Sequence, residues 1–364
     1  MKIINVISDS NIAGAGNVLL TYLRSCDRGR FDLSVALPRG SALKAEVEVL
    51  GFPCYEVEGI AEKSFSLRGV RELRGLFVKV RPDIVHTHAS LSARVAAHFV
   101  KAKIVYTRHS VFPNKWALTV FPGKPIAGLV NNFLADKIVA VSPAAKDNIV
   151  ETGVRADKVV IIYNGVDPLP SFSPEEKKKV REEYALPGEA FLCGIFARLT
   201  AVKGHEYILD AARILKDQDI FIAIAGWPGE SEALIKERIQ RENLVNVKVI
   251  GFVNKPGRLI AALDLQLNAS YGTEATSLSL LEGMSAGVPA VVSSFGGNPY
   301  VIEDGVNGFV TPQKDGGAIA EAILKLRGDA DLYNRMSASS KMVYAKRFTA
   351  EVSARELERV YLAL

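Results

Sequence analysis

Residues 264–312 read DLQLNASYGTEATSLSLLEGMSAGVPAVVSSFGGNPYVIEDGVNGFVTP, and this stretch decides the fold. Its apolar opening, ending near Ala269, predicts a strand, and a polar loop rich in Ser, Tyr, Gly and Thr follows. Thr276 or Ser277 then caps a helix carrying Leu278, Leu280, Leu281 and Met284, which stops at Gly287. Pro289 to Val292 is a short apolar strand running into the pair Gly296-Gly297, after which Pro299 can open another helix. Strand, loop, helix, strand and glycine loop in this order belong to a parallel α/β domain.

Two carboxylates punctuate the stretch. Placed on one helix, Glu274 and Glu282 would stand about 12 Å apart and roughly 80° apart around the axis. One then lies at the helix mouth and the other two turns in. The first turn between them offers free N–H groups and the positive end of the helix dipole, which suit a phosphate or diphosphate. A ligand with sugar, diphosphate and ribose in a row would meet carboxylate, amide cradle and carboxylate in that order. Solvated or capping glutamates on an ordinary amphipathic helix are the plainer reading of the spacing.

The neighbouring residues favour the first reading. Glu274, the run Glu282-Gly-Met-Ser-Ala-Gly-Val-Pro-Ala-Val-Val and Gly296-Gly297-Asn298-Pro299 together resemble the nucleotide-sugar site of retaining family 4 glycosyltransferases of the GT-B fold. The resemblance implies that Glu274, first of the E-x7-E motif, contacts the donor sugar and that Glu282 binds the ribose hydroxyls. It implies an α/β architecture: two Rossmann-like, doubly wound domains facing across a cleft, with a C-terminal helix crossing back to the first. Two departures bear on sugar contacts and donor identity. Tyr300 stands where many members have Glu, and Ala275-Thr276-Ser277-Leu278 replaces a common Gly-Phe-Gly.

At 364 residues and 48% hydrophobic, the chain can bury two cores of about 150 to 200 residues each. The expected division is residues 1–168, an acceptor-side domain on which 348–364 pack back, and residues 169–347, the donor-binding domain. No apolar run of about 18 residues occurs, and the opening MKIINVIS has no signal-peptide layout, so the expected location is the cytoplasm, peripheral at most to the inner membrane face. Cys26, Cys54 and Cys193 are scattered without CxxC spacing, which argues against a disulfide framework or a cysteine metal site. The net charge of +5 is uneven: residues 1–168 hold 22 Lys and Arg against 15 Asp and Glu, and the remainder 23 against 25. A basic first half could meet an anionic membrane surface, a phosphorylated carrier or an acidic glycan, or be an ordinary solvated surface. No basic run interleaved with aromatics points to nucleic acid.

Along the first half, the strand Lys2 to Ser8 leads to Gly14-Ala15-Gly16 and the apolar face Val18, Leu19, Tyr22 and Leu23. GxG alone is a weak dinucleotide signature; in the resembled family this loop faces the cleft, which implies donor-side or acceptor-side contacts for Gly14 and Gly16, counted here with the donor. His86 and His88 close the strand Ile84 to His88, too few ligands for a metal site. His109 ends the strand Lys103 to Thr107, where the family often has a sugar-contacting histidine. Residues 112–134 mix aromatics, lysines, prolines and glycine, which suits a mobile loop, a membrane-touching element or a loop packed on the core. Asn164-Gly165-Val166-Asp167 closes the domain, and a charged helix near Pro174 to Tyr184 carries a solvated lysine run.

In the second half, Arg198 and Lys203 leave the strand Phe191 to Ala197 together, where two cations could neutralise a departing diphosphate. The family's paired Arg and Lys occupy this pattern. Asp217-Gln218-Asp219 spells D-x-D but precedes a strand, away from ligands, and is read as surface loop. Gly226 follows the strand Ile220 to Ala225, and Gly251-Phe252-Val253 resembles the family segment beside the nucleobase.

The reading is a retaining, metal-independent transfer, without cofactor, of a hexosyl-type sugar from a nucleoside-diphosphate sugar to a glycan or lipid-linked acceptor hydroxyl. His109, Arg198, Lys203 and Glu274 carry the chemistry. Gly14, Gly16, Gly226, Phe252, Val253, Thr276, Ser277, Leu278, Glu282, Gly296 and Gly297 bind the donor. A nucleotide-sugar epimerase of the same fold and a non-catalytic nucleotide-sugar-binding subunit are the alternatives.

Overall fold

The computed structural model describes residues 1–12, 14–88 and 90–364. The chain forms two compact units: Met1–Val166 joined by Ala350–Leu364, and Asp167–Thr349.

The first unit is a seven-stranded sheet of β1 (Lys2–Ile7), β2 (Asp32–Pro38), β3 (Cys54–Val57), β4 (Ile84–His88), β5 (Lys103–Arg108), β6 (Lys137–Ala140) and β7 (Val159–Ile161), in the order β3-β2-β1-β4-β5-β6-β7. All its pairings are parallel. Helices cross over on both faces, so a strand must be apolar on both sides. In β1, Ile3 and Ile7 enter one core while Ile4 and Val6 enter the other. The last helix, Ala350–Leu362, returns to this unit and packs on helix Gly14–Ser25. Its fully buried Tyr361 sits edge-on to Tyr22, Phe31 and His86.

The second unit is a six-stranded parallel sheet of β8 (Phe191–Phe196), β9 (Ile220–Ala225), β10 (Val247–Gly251), β11 (Leu265–Asn268), β12 (Ala290–Ser293) and β13 (Gly308–Thr311), in the order β10-β9-β8-β11-β12-β13. Its strands also feed two cores: Cys193 and Ile195 enter one and Leu192 the other. Both units are thus Rossmann-like and doubly wound.

Helix Pro174–Glu183 opens with a reciprocal capping box between Ser173 and Glu176. Its lysine run is not simply solvated. Lys177 is largely buried and donates to the Leu263 carbonyl at 3.0 Å, because the helix lies against the chain entering β11. One turn on, buried Arg181 donates to the carbonyls of Ala262, Gly188 and Ala190 and, at 2.8 Å, to Asp264. The segment 112–134 is no loop: it holds a 3-10 turn, Trp116–Leu118, and helix Gly123–Phe133. Among the described residues no helix is long and apolar enough to cross a membrane.

Candidate functional site

The order of the second sheet reverses between β8 and β11. In open parallel sheets, ligands collect outside the carboxyl ends of the strands at such a switch. The loops leaving β8, β11 and β12 carry the residues that the sequence singles out.

The loop after β8 ends in a 3-10 turn, Ala201–Lys203, followed by Gly204 in the left-handed region at φ +71°. A Cβ on Gly204 would come within 2.1 Å of the Ala269 carbonyl oxygen, so glycine lets this turn press onto the end of β11. Lys203 Nζ then reaches across to donate to the Thr273 carbonyl at 2.7 Å and to Glu274 Oε2 at 2.9 Å. Both side chains are largely buried. Oε2 also accepts from Asn268 Nδ2 at 3.1 Å and Ser270 Oγ at 3.3 Å. Asn268 is held in turn by Asn298, whose Nδ2 donates to its Oδ1 at 3.3 Å and to Ser293 Oγ at 3.2 Å. One carboxylate oxygen with three donors, one of them charged, is a tightly oriented group.

Gly296 and Gly297 lie against the backbone of the Glu274 loop. A Cβ on Gly296, which sits at φ +58°, would approach the Glu274 carbonyl oxygen to 2.0 Å, and one on Gly297 would approach that of Ala275 to 1.7 Å. The Gly297 amide donates to the Glu274 carbonyl at 3.0 Å. The glycine pair therefore fixes the position of Glu274.

This contact overturns the helical spacing expected for the two glutamates. The helix is Leu278–Ala286, so Glu274 lies four residues before it in the loop, and Glu282 is its fifth residue, little more than one turn in. The Glu274 backbone is committed to the Gly297 amide and cannot begin the helix. Ser277 holds the N-cap position with extended dihedrals, but its hydroxyl pairs with that of Ser279 at 3.0 Å and does not cap the first turn. Thr276 Oγ1 donates to the Ala275 carbonyl. A helix start without a side-chain cap, at Ser277 and Leu278, presents amides and a positive dipole end to an anion.

Glu282 is partly buried, and its carboxyl is pushed up to about 7, first by desolvation and then by the neighbouring Asp167 carboxylate. Near neutrality this carboxyl is therefore partly protonated.

Beside these loops, exposed Arg198 leaves β8. Gly226, leaving β9, lies so close that a Cβ would stand 1.8 Å from the Ala197 carbonyl oxygen. The Trp227 carbonyl accepts from the Leu199 amide at 3.0 Å. The Trp227 ring lies 3.9 Å from that of Phe252, tilted by 33°, with Val253 partly buried next to it. A half-exposed aromatic pair at the ends of β9 and β10 is a surface on which a flat ring can stack.

The remaining expected residues lie in the first unit. Gly14 and Gly16 sit in the first turn of helix Gly14–Ser25 rather than in a loop; Gly14 faces open space and Gly16 abuts the Leu43 side chain. His109, just past β5, pairs its Nε2 with His88 Nδ1 at 2.8 Å, the rings stacked 5.1 Å apart. Behind them His86 bonds the Tyr361 and Thr107 hydroxyls, each at 2.6 Å. Burial holds His109 down at about 4 and His86, which His109 also depresses, at about 3. His88 lies well below the ordinary histidine value for the same reason. This row is neutral at physiological pH and acts through hydrogen bonds.

Sequence reasoning missed Asn268, Ser270 and Asn298, which hold Glu274, and Trp227, which joins Phe252. The signal for the first two was there: Asn268-Ala269-Ser270 puts polar groups at the end of an otherwise apolar strand. Among the described residues no group of three or more His, Cys, Asp or Glu is arranged to hold a metal ion.

Comparison with known proteins gives matches over both halves. Residues 176–342 match the family described as glycosyl transferases group 1, and residues 12–168 match glycosyltransferase family 4. An uncharacterized glycosyltransferase of Methanocaldococcus jannaschii is 27% identical over 340 residues, covering 86% of this chain and 84% of that protein. The UDP-Gal:alpha-D-GlcNAc-diphosphoundecaprenol alpha-1,3-galactosyltransferase of Escherichia coli is 24% identical, covering 81% and 79%. Among solved structures, Anabaena HepE in complex with UDP superimposes with a TM-score of 0.86 at 22% identity over the whole of both chains. The same protein has been solved with UDP-glucose.

Proposed function

Because this chain belongs to the group 1, family 4 glycosyltransferases and has their GT-B fold, we propose that it moves a hexosyl sugar from a nucleoside diphosphate to an acceptor hydroxyl with retention of configuration. The observation that carries this reading is the Glu274 carboxylate, held on one oxygen by Lys203, Asn268 and Ser270 beside an uncapped helix start. In the proposal Oε1 of Glu274 takes sugar hydroxyls, and the amides near Ser277 and Leu278 take the diphosphate. Glu282 accepts the two ribose hydroxyls, and the base lies on Trp227 and Phe252. The complexes of HepE with UDP and UDP-glucose support a uridine donor.

In the transfer the bond between the anomeric carbon and the phosphate oxygen breaks, its electron pair leaving with the diphosphate. The acceptor oxygen bonds the same face of that carbon, and its proton passes to the departing phosphate oxygen. Arg198, Lys203 and the helix start supply positive charge where negative charge develops, which speeds the step without a metal. In the proposal Gly14 and Gly16 are donor-side or acceptor-side contacts, and His109 contacts the donor sugar as a neutral hydrogen-bonding group. The acceptor is a glycan or lipid-linked hydroxyl; the E. coli relative is named for a diphosphoundecaprenol-linked one.

A thermal-shift screen against UDP, GDP, ADP and their sugars identifies the donor, and NMR of the product reads its anomeric configuration. Arg198→Ala should lower turnover by about tenfold or more with little change in donor affinity, and Glu282→Ala should weaken affinity instead. Activity should survive dialysis against a chelator. An inverted product, or loss of activity with metal removal, overturns the corresponding part of the reading.

A further inference from the structure

Helix Gly123–Phe133 is built inside out. Its inward face is small and polar: Gly128 packs so tightly that a Cβ would lie 2.3 Å from the Gly153 carbonyl oxygen. Asn131 Oδ1 accepts from Arg94 at 2.8 Å. Asn132 donates to the Gly153 carbonyl at 3.2 Å and accepts from the Arg155 amide at 2.9 Å. Its outward face is Ile126, Leu129, Val130 and Phe133, spaced i, i+3, i+4, i+7 and between 40% and 71% exposed. A helix of a water-surrounded domain has the reverse arrangement.

The apolar surface continues on both sides. Just upstream, Trp116 and Phe121 are 76% and 86% exposed. On the other side, Phe133 packs 4.4 Å from the His98 ring, next to exposed Phe99, over which the Arg74 guanidinium lies at 5.9 Å. The segment that carries this face is strongly basic, with Asp136 against Lys103 at 3.7 Å at its end. Between Asp83 and Asp136 the chain runs 52 residues with six Lys and Arg and no Asp or Glu. Of these, Lys101, Lys103, Lys115 and Lys124 are exposed.

We infer that this face docks on an anionic lipid bilayer, with helix Gly123–Phe133 lying in the plane of the interface, Leu129 and Phe133 among the acyl chains and Trp116 at headgroup level. An exposed apolar stripe gains free energy on entering the acyl boundary, and lysines around it gain from anionic headgroups. Cations outnumber carboxylates along this segment, so a net attraction to anionic headgroups remains beside Glu151, which accepts from Asn114, and Asp136, which pairs with Lys103. A second copy of this chain would bury the apolar stripe as well, but would set the same cations against one another. The inference stands on this face alone and does not depend on the transfer reaction.

The test is co-sedimentation of the full chain with vesicles of phosphatidylcholine alone, or with about one third phosphatidylglycerol, alongside sedimentation velocity without vesicles. The chain should bind the anionic vesicles and not the neutral ones. The double variant Leu129→Ser, Phe133→Ser should bind at least about tenfold less, and Lys115→Glu with Lys124→Glu should lose the preference for anionic lipid. Both variants should keep UDP affinity within about twofold of the parent, a readout that separates docking from the donor site and reports an intact fold. Failure of the parent to bind either vesicle overturns the inference, as does a double variant that binds undiminished. Self-association that the double variant abolishes, in place of vesicle binding, assigns the face to a second copy.

Discussion

Glu282 sits partly buried beside Asp167 with its carboxyl raised to about 7, and two consequences follow from the sign of that shift. The folded chain holds the proton more tightly than the unfolded one, so this group favours folding at acid pH. That contribution is complete below the ordinary carboxyl value of 4.5 and is lost as pH rises through about 7. Glu282→Gln should therefore be more heat-stable than the parent at pH 8 and indistinguishable from it at pH 4. UDP titrations should show affinity strengthening as pH rises through about 7, as the carboxylate forms to accept ribose hydroxyls, and Glu282→Gln should be weaker with a flat profile. A flat parent profile would remove Glu282 from the ribose. Gly297 gives a second test: a methyl group there would stand 1.7 Å from the Ala275 carbonyl, so Gly297→Ala must part the two loops. We expect a cost of about 1–3 kcal/mol in denaturant titrations and a fall in donor affinity, since Glu274 moves with its loop. The glutamates and glycines were legible as residues in the sequence. The convergence of Asn268, Ser270 and Lys203 on one oxygen was not, because 71 positions separate Lys203 from Glu274.

Whole elements show which local signals hold. Helix Leu278–Ala286 ends at Gly287 in the left-handed region, as its sequence predicts, because a glycine C-cap is a local device. Its start is not local: the Glu274–Gly297 contact delays it, so the helical spacing assumed for the glutamates fails. Helix Pro174–Glu183 looks like a charged surface helix, yet Arg181 ties it to the loops bounding β8 and β11. Arg181→Met removes a buried donor from three carbonyls and from Asp264, which keeps only the Leu192 amide and Lys177, and we expect a loss of about 3 kcal/mol of stability. Calorimetry should show the lowered melting temperature, while UDP affinity at room temperature stays unchanged. A parallel loss of affinity would mean that this helix positions the site. Helix Gly123–Phe133 escaped sequence reading because Pro125, Gly128 and two asparagines argue against a helix, and its apolar face is largely exposed rather than turned to the core.

At the scale of the molecule, the chain leaves its first unit at Val166 and returns at Ala350, so the stability of that unit depends on the last fifteen residues. Tyr361 is fully buried, with three aromatic neighbours and a 2.6 Å hydrogen bond to His86. Tyr361→Ala should cost the first unit about 3–5 kcal/mol, seen as a separate, earlier unfolding transition, since two units need not melt together. UDP binding by the second unit should persist above that transition. Simultaneous loss of both would show the units to be one cooperative body.

The sequence by itself determined the parallel α/β class, the succession of strands and crossover helices and the candidate site residues between Arg198 and Gly297. Those are matters of local period, turn chemistry and short motifs, which a linear chain carries in neighbouring residues. Only the tertiary structure decided that glycines hold Glu274 out of the helix, that Lys203 pairs with it and that three histidines stack as a neutral row. Only it turned the apolar face of helix Gly123–Phe133 outward. Each of these depends on which distant backbone lies within van der Waals reach, and packing settles that after the local elements have formed.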